Sequence, residues 1–342
     1  MKRELNACSL KKIAVMLLVL SLTLIQLSGC GKSDSEKELV HVTLNEVAHS
    51  IFYAPQYVAI ENGYFEEEGI QIDLVNGAGA DNVMTAVLSG EADIGFMGSE
   101  ASIYVYNEGS GEKIVNFAQL TQRAGNFLVA REKEKDFTWE NLKGKTVLAG
   151  RKGGMPQMVF EYILKKNHID PGKDLTMVQN IDFGLTAEAF ASGQGDYSVE
   201  FEPFAASLEK EGKGAVVASL GVDSGNVPYT AYSAKESYIA EHGEIIQKFT
   251  NALQKGMDYV GSHSPAEIAK VIQPQFAETD LDVLTTIVQR YHEQGTWNKD
   301  LVFEEESFEL LQDVLESGGE LTKRVPYDEL VKTEFAKNAC EK

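Results

Sequence analysis

The residues best suited to chemistry in this chain are carboxylates, aromatics and glycine-rich turns. Glu46, Asp81, Glu100, Asp182, Glu200 and Glu202 fall in connecting segments, against Arg123, Arg151 and Lys152. Such a set offers acceptors to amino groups, and too few cations for a bare sulphonate or nitrate, which calls for charge-assisted donors. Phe52 and Tyr53 suit a clamp on a planar ring, and equally a place in the core. Gly77 and Gly79 let the backbone approach a ligand, or only turn the chain. Asp81 suits the N-cap of the helix that follows. Ser99 and Gly153-Gly154 precede helices whose free N–H groups suit an anionic or carbonyl oxygen, unless water takes them. In Glu202-Pro203 the proline fits a first helical turn. The carboxylate beside it is then available to the N–H donors of an amino-heterocycle, or to solvent.

Catalytic patterns are missing. Gly77-Ala78-Gly79-Ala80-Asp81-Asn82 lacks the third glycine of a dinucleotide fingerprint, and Arg151 to Pro156 lacks the Gly-Lys-Ser/Thr of a phosphate loop. Gly98-Ser99 and Gly109-Ser110-Gly111 miss the spacing of a nucleophile elbow. The 6 histidines are scattered, with no His-Glu-x-x-His or paired-cysteine pattern for a metal. Neither catalysis, a cofactor nor a metal is expected.

The elements that must position these residues alternate strand with helix. Val40, Val42 and Leu44 mark a first strand, Pro55 to Ile60 a helix closed by Gly63, and Ile70, Ile72 and Leu74 a second strand. Val83, Met84, Val87 and Leu88 recur at helical spacing, and Ala92 to Met97 is a short apolar strand. The grammar repeats with strands at Thr146–Ala149 and Leu175–Val178, and with a helical face at Met158, Val159, Tyr162 and Ile163. Strands alternating with helices of about ten residues imply parallel sheets covered on both faces. Ser89-Gly90-Glu91-Ala92-Asp93 is echoed by Ser192-Gly193-Gln194-Gly195-Asp196, each followed by a glutamate (Glu100, Glu202), which suggests two similar lobes. Segments 236–261, 265–276, 280–293, 304–317 and 327–339 read as helices, packing most simply on the first lobe.

The chain has 342 residues, room for two domains, and a formal net charge of −21, which speaks against nucleic acid as a partner. Lys2, Arg3, Lys11 and Lys12 precede an apolar run from Ile13 to Ile25, too short to span a membrane and suited to a secretion signal. The run ends in Leu27-Ser28-Gly29-Cys30, which resembles a bacterial lipoprotein signal. That resemblance implies cleavage after residue 29 and lipidation of Cys30, with 30–39 as a flexible tether. Cys340 then stands alone, so no disulfide is expected.

Ile51 to Gly69 (IFYAPQYVAIENGYFEEEG), the Gly77–Asp81 turn, SGEADIGFMGSE (89–100), LKGKTVLAGRKGG (142–154) and FASGQGDYSVEFEP (190–203) resemble solute-binding proteins of bacterial ABC importers. The branch they resemble binds nitrate, sulphonates, taurine and thiamine-pyrimidine precursors. The resemblance implies a two-lobed, type II periplasmic-binding-protein-like α/β fold with parallel-rich sheets and two crossover strands, Phe127 to Arg131 and Tyr229 to Ala234. Lobe 1 would be 40–127 plus 231–342 and lobe 2 would be 128–230. The implied protein is a lipid-anchored, extracytoplasmic monomer that encloses a small solute between the lobes and serves membrane permease subunits. Loops at the carboxyl ends of parallel strands converge on such a crevice. Expected ligand contacts are therefore His49, Ser50, Phe52, Tyr53, Gly77, Gly79, Asp81, Gly98, Ser99, Glu100, Gln122 and Arg123 from the first lobe. From the second come Gly153, Gly154, Met155, Asp182, Phe183, Glu200 and Glu202, with Tyr229 at the return crossover. Aromatics with carboxylates favour a nitrogen heterocycle such as a thiamine-pyrimidine precursor. The alternatives are a sulphonate, taurine or nitrate binder of the same family, or an extracytoplasmic enzyme or sensor subunit on this scaffold.

Overall fold

The structure, a computed structural model, describes residues 39–341 apart from 110, 182 and 183. The expected signal, tether and Cys30 lie outside the described residues, as do Asp182 and Phe183.

The first sheet is built from β1 (Val40–Glu46), β2 (Ile70–Asn76), β3 (Ile94–Met97) and β4 (Ile114–Thr121). The chain then passes to a second sheet with β5 (Phe127–Ala130), β6 (Thr146–Leu148), β7 (Thr176–Val178), β8 (Tyr197–Glu200) and β9 (Ala215–Ser219). It returns with β10 (Thr230–Lys235) to complete the first. The strand orders are β2-β1-β3-β10-β4 and β7-β6-β8-β5-β9, the same plan position by position.

Pairing is parallel at β1–β2, β1–β3, β6–β7 and β6–β8. It is antiparallel where β10 meets β3 and β4, and where β5 meets β8 and β9. The sheets are therefore parallel-rich, as expected, with the two crossover strands β5 and β10 as the antiparallel members. A strand that follows its own helix returns parallel to the one before it. β5 and β10 instead arrive directly from the other sheet, entering at the end where the parallel strands finish, and so run the opposite way.

The repeated Ser-Gly-x-x-Asp segment has the same job in both sheets. Gly90 ends the helix Ala80–Ser89 in the left-handed conformation (φ 83°). Asp93 then grips β1: its carboxylate accepts the Thr43 N–H at 2.8 Å and its own N–H donates to the Thr43 carbonyl at 3.0 Å. Asp196 grips β6 alike, accepting the Thr146 N–H at 2.8 Å and donating to its carbonyl at 2.7 Å. Asp81, by contrast, is not an N-cap. The cap of Ala80–Ser89 is Gly79, at φ 142°, where a side chain would be strained, and Asp81 lies in the first turn.

The helical tail corrects a second expectation. Gly243–Ser262 packs on Ala54–Glu61 beside the first sheet, but Glu305–Gly318 packs on Met155–Lys166 beside the second. Arg290, on Leu281–Glu293, reaches Glu202 and Glu209 as well. The tail therefore clasps both halves. The long segment read as 236–261 breaks at His242, giving Glu236–Glu241 and Gly243–Ser262. Val331 bridges to Asn116 of β4 and splits the last helix into Tyr327–Leu330 and Glu334–Cys340.

The contact between Gly243–Ser262 and Ala54–Glu61 depends on Gly256, where a Cβ would lie 2.2 Å from the Pro55 carbonyl oxygen. Alanine gains about 1 kcal/mol over glycine in a helix, but overpacking of a tight contact costs about 1–3 kcal/mol. Gly256→Ala should therefore destabilise the protein in urea unfolding, despite its better helix propensity; a raised midpoint would show that the crossing relaxes freely.

Candidate functional site

The parallel strands of both sheets end facing one cavity of about 450 Å³, within the range of small-molecule sites. Val47 follows β1, Gly79 and Asp81 follow β2, and Gly98 and Glu100 follow β3. From the other side come Gly153, Gly154 and Met155 after β6, Thr186 beyond β7, and Glu200 and Phe201 at the end of β8. Asn126 and Tyr229, from the two passages between the sheets, complete the lining. Tyr53, Tyr104, Phe201, Phe204 and Tyr229 supply aromatic surface.

Two buried acids dominate the electrostatics. Glu100 opens the helix Glu100–Asn107, and its Oε2 has no hydrogen-bond partner among the described residues. Burial pushes its carboxyl up to about 7, with the Asp81 charge adding and its own backbone N–H opposing. Burial likewise pushes Glu200 up to about 7, although the hydroxyls of Ser198 and Thr186 donate to it. Arg151 is the cation in the lining, and it is taken: its Nη2 lies 2.8 Å from Asp81 Oδ2. That ion pair ties the helix after β2 to the loop after β6 at the cavity rim.

Of the expected contacts, Tyr53, Gly79, Asp81, Gly98, Glu100, Gly153, Gly154, Met155, Glu200 and Tyr229 line this cavity. The others that the structure describes have structural partners elsewhere. His49 lies against Glu46, Nδ1 to Oε1 at 2.7 Å, while its Nε2 meets the Gln275 carbonyl at 2.9 Å. Both ring nitrogens thus face acceptors, which an imidazolium satisfies. The Glu46 hydrogen bond raises its pKa, against burial. Ser50 caps the short 3₁₀ turn Ile51–Tyr53 and donates to the Glu202 carbonyl at 3.2 Å. Phe52 is fully buried among Tyr291, Tyr229 and Phe201, so it is core and not a clamp.

Gly77 is a close-approach position against Asn45 and Val83. Ser99 donates to the Pro228 carbonyl. Gln122 and Arg123 hold the tail, donating to the carbonyls of Gly295 and Gln294, each at 2.9 Å. Glu202 is the clearest correction. Its carboxylate meets Arg290 through one oxygen and accepts the Ala206 N–H at 2.8 Å through the other, and it is not part of the cavity lining. Pro203, joined to it by a cis peptide, is the cap of Phe204–Lys210 and not part of its first turn.

Asn126, Tyr104, Thr186, Phe201 and Phe204 line the cavity without having been expected there. Asn126 and Phe201 could have been found, since each sits within a few residues of a residue singled out from the sequence. Thr186, three residues after Phe183, carries the same signal, whereas Tyr104 sits inside the helix Glu100–Asn107. Among the described residues no group of three or more His, Cys, Asp or Glu could hold a metal ion.

A cavity between two α/β lobes, lined by loops from both and closed at its floor by two crossing segments, is the architecture of periplasmic-binding-protein-like receptors. The chain belongs to the NMT1/THI5-like family, whose model matches residues 51–267. It is 49% identical over 301 residues to the binding protein YtlA of Bacillus subtilis (strain 168), covering 88% of this chain and 90% of that one. It is 26% identical over 288 residues to the formylaminopyrimidine-binding protein of Halalkalibacterium halodurans, covering 82% and 83%. The fold is shared with the ligand-binding component of an ABC-type import system from Staphylococcus aureus, at a TM-score of 0.72 and 16% identity, over 88% of this chain and 99% of that one.

Raised carboxyl pKa values fix the sign of a pH effect. Glu100 and Glu200 bind their protons more tightly folded than unfolded, so their contribution is fullest at low pH and is lost as pH rises through about 7. The ligand-free protein should therefore melt progressively lower from pH 5 to pH 8. A Glu100→Gln, Glu200→Gln double variant should lose much of that slope, as read by thermal unfolding; an unchanged slope would mean that the two acids are already ionised.

Proposed function

We propose that this protein is an extracytoplasmic solute-binding protein of an ABC importer, anchored through a lipidated Cys30, that encloses a small nitrogen heterocycle and hands it to a membrane permease. The lobes on this reading are 40–127 plus 231–342 and 128–230, with Glu305–Gly318 and Arg290 reaching across from the first to the second. The observation that carries the ligand class is the pair Glu100 and Glu200, buried on opposite sides of one aromatic-walled cavity whose lining cation, Arg151, is held by Asp81. Buried carboxyl groups contributed to one cavity from both sheets call for N–H donors or a cation from the ligand. A sulphonate or nitrate would instead meet two acids and no free cation in the described lining, a repulsive setting. The name of the formylaminopyrimidine-binding relative supports a heterocycle of this kind, and the cavity volume of about 450 Å³ suits one of that size.

The test is a thermal-shift panel on the soluble domain that begins after Cys30, with aminopyrimidines, thiamine, taurine, alkanesulphonates and nitrate. A ligand at a hundred times its dissociation constant adds about 2.7 kcal/mol, which raises the melting temperature by several degrees. The aminopyrimidines should respond and the anions should not. Glu200→Ala should weaken the responding compound by at least tenfold in calorimetric titration. A response from the sulphonates alone would overturn the heterocycle assignment.

A further inference from the structure

Asn126 is a cavity residue whose side-chain amide has one atom held by a fixed partner and the other without one among the described residues. It sits in the short connection from β4 to β5, is fully buried, and lines the cavity. Its Oδ1 accepts the Tyr229 hydroxyl at 2.7 Å, while its Nδ2 has no partner among the described residues. Tyr229 belongs to the return connection that leads into β10, so the pair joins the two passages between the sheets. The tyrosine is itself held. Its backbone N–H donates to the Thr121 carbonyl at 3.2 Å, and its ring packs on Phe52 and Phe201.

A buried amide donor with nothing to meet is unfavourable unless a bound molecule completes it. Glu100 Oε2, in the same lining, is a bare acceptor. The cavity therefore offers one unmet donor and one unmet acceptor. Their complement is a ligand that carries an acceptor atom and an N–H group, as amides, amidines and aminopyrimidines do.

We infer that Asn126 is a specificity-determining contact, its Nδ2 donating to a ring nitrogen or carbonyl oxygen of the ligand, with Tyr229 as the positioning residue that aims it. The inference rests on the heterocycle reading above and adds the acceptor that the ligand must carry. A site built to hydrogen-bond a polar atom rejects the analogue lacking it, because its own group is then left unpaired.

Two probes of the same shape test it by calorimetric titration: 4-amino-2-methylpyrimidine and 3-methylaniline, which replaces both ring nitrogens by C–H. The wild-type protein should bind the pyrimidine at least tenfold more tightly. Asn126→Leu should bind both probes alike. Asn126→Asp, which keeps the size and the acceptor for Tyr229 but loses the donor, should also lose the preference and covers a leucine variant that fails to fold. Tyr229→Phe should shrink the ratio between the probes, a readout that mere loss of stability would not move. Full discrimination in a folded Asn126 variant would overturn the inference and leave the heterocycle reading standing. A wild-type protein that binds neither probe would sink that reading, and this inference with it.

Discussion

The structure depends on how its two sheets are joined. The chain leaves the first sheet after Thr121 and returns to it at Thr230, and these residues meet across the passage, hydroxyl to hydroxyl, at 2.5 Å. Each passage delivers a strand that must run against its neighbours, because it enters where the parallel strands end. That polarity turns the carboxyl ends of both sheets toward one space. The cavity, its lining loops and its floor all follow from it. The tail makes the arrangement tighter, since Glu305–Gly318 rests on a helix of the second half while Gly243–Ser262 rests on the first.

Within this frame the buried carboxylates divide into two kinds. Glu46 is given His49, Gln56 and Tyr57, and Glu202 is given Arg290 and a backbone N–H. Removing the partner of a buried charge of that kind costs several kcal/mol, about 3–5, so these are structural pairs. Glu100 and Glu200 have no cation, only hydroxyls at Glu200 and an empty side at Glu100. Glu46 and Glu202 are thus paired within the fold, while Glu100 and Glu200 line the cavity without a cation.

Much of this was legible in the residues. Strand–helix alternation located β1, β2, β3, β6 and β7, and the repeated Ser-Gly-x-x-Asp segment marked two equivalent sheets, because the helix stop and strand grip are local chemistry. β4 was not legible: Asn116, Gln119 and Thr121 interrupt its apolar run, yet every one of its residues is buried. Loop position identified Glu100 and Glu200 correctly as cavity residues, but it could not separate Glu202 from them. That distinction comes from Arg290, far along the chain, whose arrival depends on how the tail folds back. His49 was misplaced for the same reason, since Gln275 on the tail takes its second nitrogen.

The rim ion pair shows which contacts can hold such a cavity closed. Asp81 and Arg151 are 77% and 59% exposed, and an exposed pair contributes about 0.2–1 kcal/mol. A contribution of that size changes an equilibrium constant by about fivefold at most, so it can orient the rim but not secure it. On the reading proposed above, Glu100, whose Oε2 has no donor, and Glu200, which has hydroxyls but no cation, oppose closure over an unfilled cavity by more than this. A ligand that supplies those donors removes the penalty on both sides at once, and it does so only when both sheets contact it. On that reading, the balance between open and closed is then set by the interior polar groups, and a ligand stabilises the closed arrangement by the interactions it makes there alone.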